Sequence, residues 1–151
     1  MKRFAVLGLM VALAVWMARG QMAQPLEVFH AALSGQGVRG TAVVLALPEG
    51  GLEVFVYLEG LKPSSGAYAN HIHYNRAGKA TCKEQNGDQI LGLTSLVPDA
   101  NGRAVAYTRL PGARLPEGTT YVNVHANTPT PVGASIACGD LSKVKEAGYR
   151  Y

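Results

Sequence analysis

The chain has 151 residues, of which 14 are basic and 10 acidic, and charged residues make up only 16% of it. This length suits one ordinary domain, and the 48% content of hydrophobic residues excludes an intrinsically disordered chain. With 18 glycines and eight prolines, the composition favours a fold rich in turns and excludes a collagen, a coiled coil or a zinc-finger array.

The first 20 residues have the layout of a secretory signal. Lys2 and Arg3 precede an apolar run over residues 4–17, which is short for a membrane span, and small residues follow it. We predict that residues 1–20 are a signal peptide and that residues 21–151 form one domain in the periplasm or outside the cell. A retained membrane anchor is the alternative.

Cleavage at this point changes the charge balance of the protein. It removes three basic residues and no acidic ones, which leaves 11 basic against 10 acidic side chains and a net charge of +1. Because nucleic acids and anionic membranes attract strongly basic surfaces, we predict no nucleic-acid partner, and no membrane partner after cleavage.

After residue 25 the sequence falls into short apolar runs separated by turn residues. Every second residue of Leu52–Leu58 is aliphatic, as in a strand with one buried face. Asn101-Gly102 between two such runs is a strong hairpin signal. The pattern predicts an all-β, antiparallel Greek-key sandwich or flattened barrel of about eight strands, and residues 141–147 are the candidate for a short helical turn. The strands are expected at Leu26–Leu33, Gly40–Leu47, Leu52–Leu58, Ala67–Tyr74, Ile90–Val97, Arg103–Leu110, Thr119–Ala126 and Ser135–Cys138.

Cys82 and Cys138 are the only cysteines of the chain. An even number of cysteines in an exported protein indicates a disulfide, and ligation of a metal by the two thiols is the alternative. Cys82 lies within residues 75–89, the longest stretch without a strand pattern. A disulfide from there to the last strand would hold this loop against the sheet.

Two of the four histidines, His71 and His73, flank Ile72. Alternate residues of a strand share a face, so both imidazoles are expected on one side and Ile72 in the core. A His-x-His pair alone is more often an exposed polar pair than a metal site.

The later Tyr-Val-Asn-Val-His run follows the same rule and places His125 outside the core, facing out together with Tyr121 and Asn123. If its strand lies beside that of His71 and His73, three imidazoles converge, and this donor set suits copper or zinc. Tyr121 and Asn123 are then candidates to orient an imidazole, and a plain surface role is the alternative.

The fourth histidine, His30, shares a strand face with Leu26 and Val28. We expect it to be buried, hydrogen-bonded or at a sheet edge, and a role as fourth metal ligand is the alternative. Asp140, which follows Cys138 by two residues, is expected to be solvated.

The order of these motifs resembles the copper/zinc superoxide dismutase family and the related CHRD sandwich domains, whose final strands carry a Tyr-Val-Asn-Val-His pattern. The resemblance covers residues 28–141 and depends on the succession of His-x-His, Cys, His and Ala-Cys-Gly. It implies a superoxide dismutase-like β-sandwich with three copper ligands and one intrasubunit disulfide: His71, His73 and His125, and Cys82 with Cys138.

The chain also departs from that family. A full copper–zinc centre there uses six histidines and an aspartate, whereas this chain has four histidines and none between Cys82 and Arg103. We therefore expect one copper ion and no zinc. Ser135 stands where the family has an arginine that orients superoxide, and the loop 126–133 carries no charge. Loss of this electrostatic steering should slow the association of an anionic substrate.

The resemblance and these departures together favour an exported copper-binding protein with a mononuclear three-histidine site, for which superoxide is the substrate to consider. Nitrogen donors bind Cu(II) more tightly than other divalent first-row metals, which is why copper is the expected ion. Two alternatives stay open: a non-catalytic periplasmic copper carrier or buffer, and a metal-free interaction module of the CHRD kind.

Overall fold

A computed structural model describes residues 25–76, 78–127 and 132–145, and the predicted signal peptide lies outside these residues. The described part contains strands, turns and loops and no helix, hence none of the long apolar helices that cross membranes. Its strands are β1 (Glu27–Gly35), β2 (Val38–Ala46), β3 (Gly51–Glu59), β4 (Asn70–Tyr74), β5 (Gln89–Gly92), β6 (Ala104–Pro111), β7 (Tyr121–His125), β8 (Ser135–Asp140) and β9 (Ser142–Lys143).

All the strands join one antiparallel sheet in the order β5-β4-β7-β8-β1-β2-β3-β6, and β9 pairs with β1. The sheet curls into a flattened half-barrel, so the predicted all-β antiparallel class is confirmed. The eight predicted runs correspond to β1–β8, although β4 begins later and β5 ends earlier than predicted. The prediction of a helical turn over residues 141–147 is wrong at Ser142–Lys143, because these two residues form a strand that pairs with Phe29 and His30 of β1.

The concave face of the sheet carries the apolar core. The alternation predicted for β3 is confirmed, because Leu52, Val54, Val56 and Leu58 are each at most 2% exposed. The small residues of the flanking strands pack beside them, which lets the sheet curl closely around the core: Ala42 on β2, and Ala104 and Ala106 on β6.

The hairpin predicted at Asn101-Gly102 is wrong. The residues do form a tight turn, in which Gly102 donates its N–H to the Asp99 carbonyl over 3.1 Å. However, β6 pairs with β3 and not with β5, so the chain crosses to the opposite edge of the sheet. Gly102 has a φ of 72°, and a Cβ there would lie 2.2 Å from the Leu61 carbonyl oxygen. The turn is therefore fitted against the segment that follows β3.

Candidate metal centre

The strands of the three predicted ligands are neighbours. β4 and β7 pair antiparallel, with His71 opposite Asn123 and His73 opposite Tyr121. Ile72 on β4 is fully buried in the core, as predicted, and the two valines of β7, Val122 and Val124, are buried with it. His71 and His73 consequently project from the other face of the sheet, where His125 follows at the end of β7.

The three imidazoles form one cluster. The ring centroids of His71 and His73 are 5.8 Å apart, those of His71 and His125 5.3 Å, and those of His73 and His125 5.8 Å. One ring nitrogen from each residue lies within 4.8 Å of the nitrogens of the other two. Three nitrogen donors at these separations are close enough to bind a single ion after small side-chain adjustments.

The hydrogen bonding of the rings leaves nitrogens free for a ligand. Nδ1 of His125 donates to the Gly133 carbonyl over 2.9 Å, so Nε2 is the nitrogen that faces the cluster. That Nε2, Nδ1 of His71 and both ring nitrogens of His73 are buried and have no hydrogen-bond partner. Burying such groups unpaired is unfavourable, and a bound metal ion would satisfy one nitrogen of each ring. The residues present therefore fit a metal ion.

Burial and neighbouring rings favour the neutral, metal-binding form of His71 and His73. Burial lowers the pKa of His71, and the neighbouring His125 and His73 lower it further. Burial also lowers the pKa of His73, an effect that the Gly87 backbone opposes and His125 reinforces. Neutral imidazole is the form that coordinates metals, so these rings need not lose a proton at neutral pH.

The face that carries the half-buried imidazoles is partly covered by a loop. Tyr121 and Asn123 lie on the face away from the core, as predicted, but they are only 1% and 2% exposed. The expectation that they face solvent is therefore wrong. The segment 78–88, which we call the cover, lies over them. Gly87 directs its N–H to the Tyr121 hydroxyl at 3.4 Å, and Asn123 donates its side-chain N–H to Gln85 Oε1 over 2.8 Å. Tyr121 and Asn123 are thus enclosed between the sheet and the cover.

A disulfide attaches the cover to the sheet. Cys82 and Cys138 are joined, with their Cα atoms 5.6 Å apart, so neither thiol is available as a metal ligand. The backbone N–H of Cys82 also donates to a carboxylate oxygen of Asp140 over 2.7 Å. Asp140, expected to be merely solvated, is therefore a second attachment point for the cover.

His30 lies on β1, away from the cluster. Its Nε2 is 2.7 Å from the hydroxyl of Thr41 on the neighbouring strand β2. The residue is hydrogen-bonded, as expected, but exposed rather than buried. It is not a member of the three-histidine group, so the structure gives no support to a role as fourth ligand.

Sequence reasoning missed three residues of this site, namely Gln85, Gly87 and Gly133. Gln85 and Gly87 lie in the loop that the disulfide was expected to hold, but no pattern in that loop shows which residues touch the sheet. Gly133 contributes only a backbone carbonyl, which leaves no signal in the sequence.

No model of a known protein family matches the chain, and no curated protein matches it. Among solved structures, the clock protein EA4 superposes with a TM-score of 0.56 at 20% identity, covering 82% of this chain and 98% of its own. A SOD-like protein from Bacillus subtilis gives 0.51 at 17% identity, covering 74% and 96%, and a double mutant of it gives 0.51 at 18%, covering 74% and 95%. At these identities the similarity shows the fold, which is that of the SOD-like β-sandwich proteins.

Proposed function

We propose that the protein is an exported copper-binding protein, which holds one ion through His71, His73 and His125 and has no zinc site. The observation that carries this proposal is the cluster itself, in which three imidazoles converge and present buried nitrogens without partners. The binding domain is residues 21–151, released from the signal peptide 1–20.

The donor set supports copper as the ion. Imidazole nitrogens suit copper, and Cu(II) stands highest in the affinity order for divalent first-row metals at nitrogen sites. When bound, copper supplies the alternation between two oxidation states that superoxide disproportionation requires. The contribution of the protein is to hold three imidazoles in place and to shield one side of the cluster with the cover.

Export is supported by the disulfide between Cys82 and Cys138. Disulfides persist in oxidising compartments such as the periplasm and the extracellular space, and they are rare in the reducing cytosol. Mass spectrometry of the protein recovered from the exported fraction tests this directly. A mass that lacks residues 1–20 and two cysteine hydrogens is expected, and a full-length reduced chain would refute the proposed processing.

The test of metal binding uses the full chain, expressed with its own leader and purified from the exported fraction. Titration with Cu(II), followed by electron paramagnetic resonance, is expected to show one ion per chain with nitrogen hyperfine splitting. Replacement of any cluster histidine by alanine should abolish or strongly weaken this signal. His30→Ala is the matched control, because it removes an imidazole outside the cluster, and it should bind copper normally.

Other outcomes of the same titration separate the alternatives. Absence of stoichiometric binding would refute the copper proposal and favour a metal-free interaction module of the CHRD kind. Equal loss in His30→Ala and in the cluster variants would show that copper binds to exposed histidines without a defined site.

One observation favours copper carriage over superoxide turnover at this site. Ser135 occupies the position at which the copper/zinc superoxide dismutase family, which this sequence resembles, has an arginine. Its hydroxyl donates to Asn123 Oδ1 over 2.5 Å and offers no positive charge to an anionic substrate. Measurement of superoxide decay with the copper-loaded protein, beside copper transfer to a chelator of known affinity, distinguishes the two roles. Transfer without faster decay identifies a carrier, and copper-dependent acceleration identifies a dismutase.

A further inference from the structure

We infer that Tyr121 is a positioning residue for the metal site, which fixes the ring of His73 by stacking against it. This inference rests on the proposed function, because it concerns the orientation of one of the three proposed ligands. It gives a defined role to a side chain that is large, almost completely buried and not itself a metal donor.

The stacking geometry is the first observation. The rings of Tyr121 and His73 have centroids 5.0 Å apart and planes inclined by only 11°. Tyr121 and His73 face each other directly across the β4–β7 ladder. At cross-strand positions the side chains are held close together by the backbone, so the stack follows from the strand register.

The second observation is the contrast between two ligands. His125 is oriented by a hydrogen bond from Nδ1 to the Gly133 carbonyl, which is how proteins commonly fix a metal-binding imidazole. Neither ring nitrogen of His73 has a hydrogen-bond partner. The flat contact with Tyr121, beside the adjacent Gly87 backbone, therefore defines the plane of the His73 ring.

The third observation is that Tyr121 cannot easily move away from His73. Its side chain is 1% exposed, and the cover places the Gly87 N–H 3.4 Å from its hydroxyl. The backbone of Gly87 also lies against His73, since a Cβ at this glycine would come within 2.7 Å of the His73 Cβ. The sheet and the cover thus enclose the two stacked rings.

Stacking of this kind should favour the metal-bound state over the free one. A coordinated metal ion withdraws electron density from an imidazole, and an electron-poor ring is attracted more strongly to the electron-rich face of a phenol. Fixing the ring beforehand also reduces the conformational freedom that is lost when the ion binds. Both effects raise metal affinity without a bond from Tyr121 to the ion.

The experiment compares two variants of the full exported chain. Tyr121→Phe retains an aromatic ring and loses only the hydroxyl, whereas Tyr121→Leu removes the ring. We measure Cu(II) affinity by chelator competition and record the electron paramagnetic resonance spectrum of each copper-loaded protein. Leu58→Ala is the control for general destabilisation, because this core side chain of β3 lies on a strand far from the cluster in the sheet order.

Tyr121→Leu should bind copper about 10- to 100-fold more weakly, the range found when outer partners of metal ligands are removed, and its spectrum should change. Tyr121→Phe and Leu58→Ala should keep the affinity and spectrum of the unchanged protein. Thermal melting of each metal-free variant establishes the temperature at which all are folded, and the affinities are compared there.

Three results would overturn the inference. Unchanged affinity and spectrum in Tyr121→Leu would show that stacking does not position His73. An equal loss in Tyr121→Phe would assign the effect to the hydroxyl, and an equal loss in Leu58→Ala would assign it to reduced stability. Failure of the proposed function is a separate result, because the unchanged protein would then bind no copper.

Discussion

The convex face of the sheet is exposed in one half and covered by a loop in the other. In the half made of β1, β2, β3 and β6, this face is open, and large apolar side chains such as Phe55, Val105 and Tyr107 are exposed on it. In the half made of β4, β5, β7 and β8, the cover lies over the corresponding face. Asn123 of β7, which bonds Gln85 of the cover, is consequently buried although it is polar.

This difference shows what an alternating pattern does and does not determine. Alternation identifies the core-facing residues of β3, β4 and β7, whereas on β1 the buried face is that of Ala31 and Leu33 and not that of His30. It cannot show whether the opposite face meets water or a folded loop, because that depends on a distant attachment. Here the attachment is the disulfide from Cys82 to Cys138, and it converts an ordinary polar strand face into an enclosed site.

Removal of the disulfide is the change expected to affect the covered half most. Replacing both Cys82 and Cys138 by serine should lower the free energy of unfolding by about 2–5 kcal/mol, because the unfolded chain is no longer cross-linked. Urea denaturation measures the loss, and native-state hydrogen exchange should show the cover opening before β2 and β3. Uniform exchange in both halves would contradict the view that the disulfide mainly holds the cover.

The buried polar contact beneath the cover should contribute less. Asn123→Ala removes a side chain that bonds both Gln85 and Ser135, and leaving these partners unpaired should cost about 1–3 kcal/mol. Urea denaturation again gives the value. Asn101→Ala, at an exposed turn, is the matched control and should change stability by less than about 0.5 kcal/mol. Equal effects would mean that the cover does not enclose Asn123.

The covered half should also make the metal-free protein sensitive to acid. Burial lowers the pKa of His71 and His73 below the ordinary value of 6.5, so the unfolded chain takes up protons first as the pH falls. The free energy of unfolding that depends on the neutral rings is at its full value above about pH 6.5. It falls as the pH drops below this value, and the fall ends once the pH is below the lowered pKa values of the folded state. The urea concentration at the unfolding midpoint, measured with a chelator present, should therefore fall as the pH is lowered from 8 to 5.

A double variant, His71→Ala with His73→Ala, provides the control for this pH dependence. Its midpoint should decline less over the same range, because the two depressed pKa values are gone. An identical decline in the variant would assign the acid sensitivity to other groups.

The smallest effect is expected on the open face. Phe55 and Tyr107 form a cross-strand aromatic pair with ring centroids 4.9 Å apart, but Tyr107 is 45% exposed. Tyr107→Ala should cost less than about 1 kcal/mol, as measured by urea denaturation, because exposed cross-strand pairs contribute little. A cost as large as that of the disulfide variant would show that this face is more tightly packed than the comparison implies.

Much of the fold could be predicted from the sequence, because local patterns determine it. The alternation from Leu52 to Leu58 and the positions of eight strands depend on neighbouring residues alone. The pairing of β6 with β3 does not, and neither does β9, whose two residues are held by β1 rather than by any local preference. The Asn-Gly turn predicts a hairpin because the same local turn chemistry occurs whether or not the flanking strands pair with each other.

The candidate site was predictable to a similar extent. Alternation placed His71, His73 and His125 on the face away from the core, and the structure brings them together on adjacent strands. The residues that enclose them could not be found in this way. Gln85 and Gly87 reach the site through a loop that a disulfide to a distant strand and a hydrogen bond to Asp140 attach to the sheet.

The pairing of β4 with β7 couples ligand binding at the cluster to folding of the whole sheet. The three histidines come from segments that are far apart in sequence, so the cluster exists only once the sheet has assembled. A ligand that binds the native state alone stabilises the fold by an amount that grows with the logarithm of its free concentration, about 2.7 kcal/mol at 100 times its dissociation constant. Occupation of one small cluster would thus make every strand of the sheet harder to unfold.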